Sequence, residues 1–328
     1  MASVLELTSD HLCLYGVDDF PEKKEYKPQL TDANGLKVRV VKDPNYTGSN
    51  VWDGQRKLLI SEVQLLTRVY DSMADKKTPV LCVYAGAYPC LHLTQLLVNF
   101  PDTFFVLIDP AFNASSRLSA WPRERVALCR AYFDDESAEA VETWVKGKTD
   151  HLIHRALNTL KFPEGMQHSN LVFVSDIRKE AEKDDVIATE MNEQASWFHI
   201  MDAKAGLVKF RMPYVTPAFL FSNKYNHNYM NGTVYLPIWG RKSTTECRLY
   251  VERGCITDTY YPIEIEKSMA GFNVIERRKH FSVKGIDYKT FDEAAETLVL
   301  SEFYKTMNAV WNWYDKRFKQ VRSTGIMY

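Results

Sequence analysis

The segment from Pro79 to Leu93 constrains this chain most. Val80 to Tyr84 is an almost unbroken apolar run, the pattern of a strand buried on both faces of a parallel sheet. A tight turn through Gly86 and Pro89 follows. An apolar-periodic helix then runs from about Cys90 to Phe100, with Leu93, Leu96 and Leu97 on one face. Strand, glycine turn and helix start form the cofactor cradle of an open α/β sheet, at the carboxyl end of its strands. The next apolar strand, Phe104 to Ile108, ends on Asp109, where a carboxylate can accept hydrogen bonds from a ribose. The pairing points to a nucleoside-containing cofactor, against the alternative of an α/β core with no ligand. The three spaced glycines of a dinucleotide fingerprint are absent from this turn, and so is a P-loop lysine. Both absences argue against a dehydrogenase or an NTPase.

With 328 residues the chain can bury a substantial core in one large domain or two small ones. No internal repeat and no clear linker interrupts it. One domain over residues 51–328 is therefore expected, preceded by a polar, proline-containing arm over residues 1–50 that partly wraps the core. The net charge of −1 offers no general attraction for nucleic acid, so any RNA binding must be local. The six cysteines are scattered, without a CxxC pair. Buried free thiols in a reducing compartment fit them better than a disulfide framework or a metal site. No signal peptide opens the chain and no apolar run approaches a membrane span, which leads us to expect a soluble intracellular protein with no membrane partner.

Gln55 to Tyr70 reads as an amphipathic helix with Leu58, Leu59, Val63 and Leu66 on its apolar side. Its first turn carries Arg56 and Lys57, and cations there oppose the helix dipole. Arg125 to Tyr132 looks like a third strand, followed by a helix from about Ser137 to Lys146 and a variable region to Gln167. Asn170 to Val174 is the next buried strand, ending in Ser175-Asp176-Ile177-Arg178. A helix over Glu180 to Met201 leads to a strand from Gly206 to Phe210, with Lys209 and Arg211 at its end. Asn223 to Lys242 reads as an aromatic loop. Glu246 to Val251 is a strand, Tyr260 to Glu266 is strand-like, and a long helix spans about Phe291 to Phe318.

This order brings four charged residues toward one crevice. Lys57 comes from the first helix, Asp176 and Lys209 cap neighbouring strands, and Glu246 borders the next. An unpaired carboxylate at Asp176 would be expensive to bury, so it needs a cationic partner. Two nearby ammonium groups disfavour each other's protonation, and burial adds to that. Together these effects can pull one lysine well below its unperturbed pKa of about 10.4. A neutral lysine near pH 7 is a usable general base for a weakly acidic hydroxyl. Taken singly, a Lys, Asp or Glu is usually a solvated surface charge or half of a surface ion pair; it is their joint placement at strand ends that points to a site.

Several segments match a known family in order and spacing: Gly54-Gln55-Arg56-Lys57-Leu58-Leu59 with Glu62; Tyr84-Ala85-Gly86 with Pro89 and His92; Leu107-Ile108-Asp109; Ser175-Asp176-Ile177-Arg178; Lys209 with Arg211 and Pro213; and Glu246 with Arg248-Leu249. Over roughly Trp52 to Val251 the chain resembles the poxvirus cap-specific mRNA (nucleoside-2′-O-)methyltransferases, which also serve as the small subunit of viral poly(A) polymerase, and the related kinetoplastid cap methyltransferases. The resemblance implies a Rossmann-like α/β fold with a mostly parallel central sheet, S-adenosylmethionine as cofactor, and no metal. It implies Lys209 as the base in a catalytic tetrad with Lys57, Asp176 and Glu246. It places Gln55, Leu58, Tyr84, Gly86, His92, Asp109, Phe133 and Arg178 at cofactor-contacting positions. The implied partners are the capped 5′ end of mRNA and a poly(A) polymerase catalytic subunit or other capping enzymes. The implied compartment is the nucleus for a protist enzyme, or the cytoplasm or virion for a viral one.

The chain departs from the family at the turn, where Cys90 replaces a second glycine and Tyr88 a small residue. In the implied cap pocket Tyr214 keeps a stacking aromatic position and Arg211 lies beside it, but Ser243 and Thr216 replace an opposing tyrosine and a carboxylate. Trp239 or Tyr26 is the candidate for the missing stack, and Glu276 for a second carboxylate. Two other functions remain open at this point: 2′-O-methylation of a non-cap RNA site, and a non-enzymatic RNA-binding or polymerase-stimulating subunit.

Overall fold

The structure is a computed structural model that describes residues 6–8, 51–113, 121–145, 151–163, 170–178, 184–212, 227–236, 238–240, 244, 246–262, 265, 269, 272–273, 281–283, 286–288 and 290–323. In chain order, β1 (Glu6–Thr8) precedes α1 (Val51–Asp71), β2 (Val80–Ala85), α2 (Leu93–Asn99) and β3 (Thr103–Ile108). Then come β4 (Val126–Cys129), α3 (Asp135–Val145), α4 (Leu152–Leu157), β5 (Leu171–Ser175), α5 (Asp184–Ile200) and β6 (Ala205–Phe210). The last elements are β7 (His227–Met230), β8 (Thr233–Tyr235), β9 (Cys247–Glu252), β10 (Thr257–Tyr260), β11 (Phe281–Val283), β12 (Ile286–Tyr288) and α6 (Phe291–Ser323).

The central sheet has the order β1-β8-β9-β6-β5-β2-β3-β4. Strands β2 to β6 are mutually parallel, and β9 enters antiparallel beside β6. From β2 the chain winds outward through β3 and β4, then returns to lay β5 and β6 on the other side. The reversal falls between β2 and β5, the point where an open α/β sheet leaves a crevice above its strand ends. The architecture is thus Rossmann-like, with helices on both faces. Tyr84 of β2 reaches Glu62 of α1 on one face, where α1 packs with α2 and α6. On the other, Phe173 of β5 meets Phe133, which meets Trp197 of α5.

The apolar runs become strands because both faces are covered: every residue of β2, β5 and β6 is buried. Phe100, just past α2, stacks on Tyr70 of α1 and meets Phe303 of α6 edge-on. The carbonyls at that end of α2 are satisfied by a side chain. Arg125 donates to the carbonyl oxygens of Leu97 at 3.0 Å, Phe100 at 2.8 Å and Thr103 at 2.8 Å, so β4 is tied to the loop entering β3.

The structure corrects several expectations. The first helix begins at Val51, so Arg56 and Lys57 lie in its second turn, clear of the strongest dipole penalty. Gly54 does not start the helix; it is accommodated within it. The stretch expected as an aromatic loop contains β7 and β8, and the variable region before β5 contains α4. The strand expected over Tyr260 to Glu266 instead ends at Tyr260, pairing with β7 through Tyr260 opposite His227. Of the amino-terminal arm, Glu6–Thr8 adds an edge strand to β8. No helix among the described residues is long and apolar enough to cross a membrane.

The Arg125 guanidinium adds side-chain bonds to a junction of α2, β3 and β4 that the β3–β4 ladder and the Thr103 amide also hold. Arg125→Ala should therefore lower unfolding free energy by about 3 kcal/mol, because charged hydrogen bonds are lost and buried carbonyls are left unpaired. Denaturant titration measures this directly, and Arg125→Lys should recover only part of it.

Candidate active site

The site is built where β2 and β5 end. Gly86 closes β2 at a φ of +72°, in the left-handed region that suits glycine. A β-carbon there would stand 2.8 Å from the Ile177 nitrogen and 2.9 Å from the Asp176 carbonyl carbon. The turn after β2 thus presses directly on the backbone leaving β5, a closeness only glycine permits. Cys90, standing where the resembled family has its second glycine, is also left-handed at a φ of +44°. It adopts the glycine-like backbone while burying its thiol, whose pKa burial pushes well up. Asp109, just past β3, braces the same turn. Its Oδ2 accepts the Tyr88 amide at 3.1 Å and its Oδ1 the Ala111 amide at 2.8 Å.

Above these strand ends lies a cavity of about 630 Å³, within the usual range for small-molecule sites. Gly86, Asp109, Phe133, Asp176 and Arg178 line it, with the rings of Tyr88 and Tyr132 at its wall. Four of the eight expected cofactor-contacting residues therefore meet here. The other four, Gln55, Leu58, Tyr84 and His92, are buried and are not among its described lining residues. Gln55, Tyr84 and His92 bond within the protein: the Gln55 Oε1 accepts the Leu91 amide at 2.7 Å and lies 2.8 Å from His92 Nδ1. His92 Nε2 lies 2.8 Å from Glu62 Oε2, and the Tyr84 hydroxyl donates to Glu62 Oε1 at 2.8 Å.

Asp176 and Arg178, which line the cavity, belong also to a charged cluster in which the four residues expected from the sequence come together. Lys57, Glu246 and Arg248 line a separate small pocket. Lys209 Nζ lies 2.8 Å from Asp176 Oδ1 and 3.8 Å from Glu246 Oε2, and Lys57 Nζ lies 3.6 Å from Glu246 Oε1. Gln194 on α5 accepts the Lys209 amide at 3.0 Å, fixing the strand end that presents the lysine. Arg248 joins from β9, donating to Asp176 Oδ1 and standing 3.5 Å from Glu246 Oε1. Arg178 completes the cluster between Glu246 at 3.1 Å and Glu190 at 2.8 Å. Among the described residues of this cluster, four cations thus face three carboxylates.

The electrostatics follow. Burial alone would raise the Asp176 pKa, but Arg248, Lys209 and Lys57 outweigh it and hold the carboxyl well below the usual range. Burial likewise works to raise Glu246, yet Lys209, Arg248 and Lys57 bring it down to about 2. Lys57 shifts the other way for a cation. Burial first, then the Arg248 guanidinium, lowers its pKa, and Glu246 and Asp176 offset this only in part.

Arg248 and Glu190 belong to this cluster and escaped the site list read from sequence. Arg248 had a signal, since it stands two residues from Glu246, on the same face of an extended strand. Glu190 had none, because a helix residue pairing with Arg178 shows no local spacing. In the implied substrate pocket, Arg211 is buried just past β6. Trp239 carries the Arg56 guanidinium 3.9 Å over its ring and donates its indole N–H to Glu296 Oε2 at 3.0 Å. Arg56 is itself ion-paired to Glu296, so Trp239 fastens α1 to α6. Tyr214, Glu276, Ser243, Thr216 and Tyr26 lie outside the described residues.

No family model matches this sequence, and no curated protein matches it. Among solved structures, it is similar to human methyltransferase-like protein 13 in complex with SAH, at 6% identity over 71% of this chain and 97% of that one, with a TM-score of 0.29. It is also similar to a probable spermidine synthase from Corynebacterium glutamicum, at 12% identity over 77% and 88% with a TM-score of 0.34. An antibiotic-related methyltransferase is similar at 10% identity over 64% and 97%, with a TM-score of 0.26. Likenesses this remote add nothing about activity to what strand order and side chains provide.

Two outcomes are expected. Gly86→Ala should cost about 2 kcal/mol or more in a thermal melt, because it combines a strained backbone with a collision against the Asp176–Ile177 backbone. The second concerns acid. Glu246 is more acidic folded than unfolded, so its stabilising contribution is whole above its ordinary pKa of 4.5 and is lost as pH falls toward about 2. Denaturant titrations across that window should show falling stability, with a shallower slope in Glu246→Gln.

Proposed function

We propose that this protein is an S-adenosylmethionine-dependent methyltransferase that acts on a ribose 2′-hydroxyl of RNA, at the cap-proximal nucleotides of mRNA. The observation that carries this reading is the cluster that shares Asp176 and Arg178 with the cavity, in which a buried lysine is held between two carboxylates and, among the described residues, the cations outnumber the carboxylates by one. Such a cluster suits removal of a proton from a poorly acidic hydroxyl. It has no evident purpose in a protein that only binds RNA.

The residues present fit the cofactor. The apolar wall of Ile108, Ala131 and Phe133 suits a purine. Asp109 spends one oxygen on the Tyr88 amide of the turn and the other on the Ala111 amide of its own loop, and each retains acceptor capacity for ribose hydroxyls. Asp176 and Arg178 offer both charges to an amino-acid end, and the missing β-carbon of Gly86 keeps the turn tight beneath it. When bound, S-adenosylmethionine supplies a methyl group made electrophilic by its sulfonium.

The chain's own residues do the rest. Lys209 Nζ, in the state of the cluster with one lysine neutral, accepts the hydroxyl proton. Asp176 and Glu246 aim that nitrogen, and Arg248 shares both carboxylates with it. Burial and the Arg248 guanidinium push Lys57 toward its neutral form, which reduces the positive charge beside Lys209. Alignment of the hydroxyl supplies much of the acceleration. Residues 51–328 form the catalytic domain in this reading, and the capped 5′ end of mRNA is its partner.

The same chemistry on a non-cap ribose is the second reading. It is favoured by Trp239, whose ring face and indole N–H are engaged by Arg56 and Glu296 and are poorly placed to stack a cap.

Lys209→Ala tests the central assignment. Methyl transfer should fall by about 10²–10⁴-fold, the usual worth of a general base. Affinity for S-adenosylhomocysteine, measured calorimetrically, should stay within about threefold, because a lysine contributes little to purine and ribose binding. Retained transfer would remove Lys209 as the base.

A further inference from the structure

The chain of buried polar groups behind the cavity carries an inference of its own, resting on the methyl-transfer reading. Glu62, His92, Gln55 and Tyr84 are each at most 7% exposed, and their hydrogen bonds close on one another. The donors and acceptors can be assigned from a single backbone group. The Leu91 amide can only donate, so the Gln55 atom it meets at 2.7 Å is the side-chain oxygen. His92 Nδ1 approaches that same oxygen at 2.8 Å, and must therefore carry a proton and donate it. One further proton lies on the 2.8 Å line between His92 Nε2 and Glu62 Oε2, whichever of the two atoms holds it. The other Glu62 oxygen is taken by the Tyr84 hydroxyl. With that proton in place the His92–Glu62 pair is neutral overall, and both its carboxylate oxygens and both its ring nitrogens have partners.

The relay joins two parts of the site that have no other described polar link. Gln55 and Glu62 are seven residues apart, two turns along one face of α1, with Lys57 between them. His92 and Leu91 end the turn that begins at Gly86 and walls the cavity through Tyr88. We propose that Glu62 and His92 are positioning residues for the transfer reaction: the shared-proton relay sets the spacing between the helix that carries Lys57 and the turn that holds the methyl donor. Neither touches the reacting atoms.

A fold brace would be replaceable by any filling that preserves stability; a positioning relay would not. Glu62→Gln is the conservative variant. Its amide N–H can donate to His92 Nε2 while its oxygen accepts from Tyr84, so the geometry survives with no charge. The combined variant Glu62→Leu, His92→Phe, Tyr84→Phe fills the same space and removes Glu62 with both its partners, while Gln55 keeps the Leu91 amide, which avoids leaving a buried polar group alone. Thermal melting, S-adenosylhomocysteine affinity and single-turnover methyl transfer would be measured on each full-length protein. The expected result is a folded triple variant with transfer reduced about 10–100-fold, the scale of an ångström-sized misplacement, and a Glu62→Gln variant within about threefold of wild type. A folded triple variant with wild-type transfer would overturn the proposal. So would Glu62→Gln losing transfer as severely as the triple variant, since a charge would then matter and spacing would not. Wild-type protein that binds no S-adenosylhomocysteine would overturn the methyl-transfer reading itself, and this proposal with it.

Discussion

A carboxylate leaving the end of a central strand must be met by cations, and the top of this sheet is arranged around that need. Removing Asp176 from water costs several kcal/mol unless opposite charge and hydrogen bonds replace the lost solvation. Lys209 arrives from the neighbouring strand β6, and Arg248 from β9, which can lie antiparallel beside β6 because the chain returns from the far edge. These two cations require a second carboxylate in turn. Glu246 takes that place and brings in Lys57 from α1 and Arg178 from beyond β5. Each added charge answers the one before. With Glu190 on Arg178, the outcome among the described residues is a cluster of four cations and three carboxylates.

The cavity is coupled to the cluster through backbone contact. Gly86 packs on the peptide between Asp176 and Ile177, so the wall of the cavity and the anchor of the cluster cannot move independently. Asp109 braces the same turn from β3, and the Glu62–His92–Gln55 relay braces it from α1. The wall of the cavity is thereby registered against Asp176, the ion-pair partner of Lys209.

Much of this arrangement was legible in the sequence, for identifiable reasons. Strands β2, β3, β5 and β6 are apolar runs that end in or just before a charge or a glycine, antiparallel β9 begins beside one, and these ends converge. The tetrad could be read because each member sits at such an end or on a strongly periodic helix. Strands β7 and β8 were hidden because their residues, His227-Asn228-Tyr229-Met230 and Thr233-Val234-Tyr235, are short and polar or aromatic without clear alternation. Their pairing comes from distant partners. The same cause hid the relay. The resemblance puts Gln55, Tyr84 and His92 at cofactor-contacting positions, and only the fold shows their bonds to Glu62 and the turn. Trp239, a candidate for stacking a cap, is held by Arg56 and Glu296 from helices far apart in sequence.

The most direct test of the account is methyl transfer from labelled S-adenosylmethionine to short RNAs that carry a methylated cap, an unmethylated cap or none, with the product mapped by nuclease digestion. The account predicts label on a ribose 2′-oxygen next to a methylated cap and little on the other RNAs. Label on a ribose of every RNA would keep the chemistry of the cluster and contradict the cap as its substrate. Absence of transfer to any RNA by protein that binds S-adenosylhomocysteine would contradict the proposed reaction.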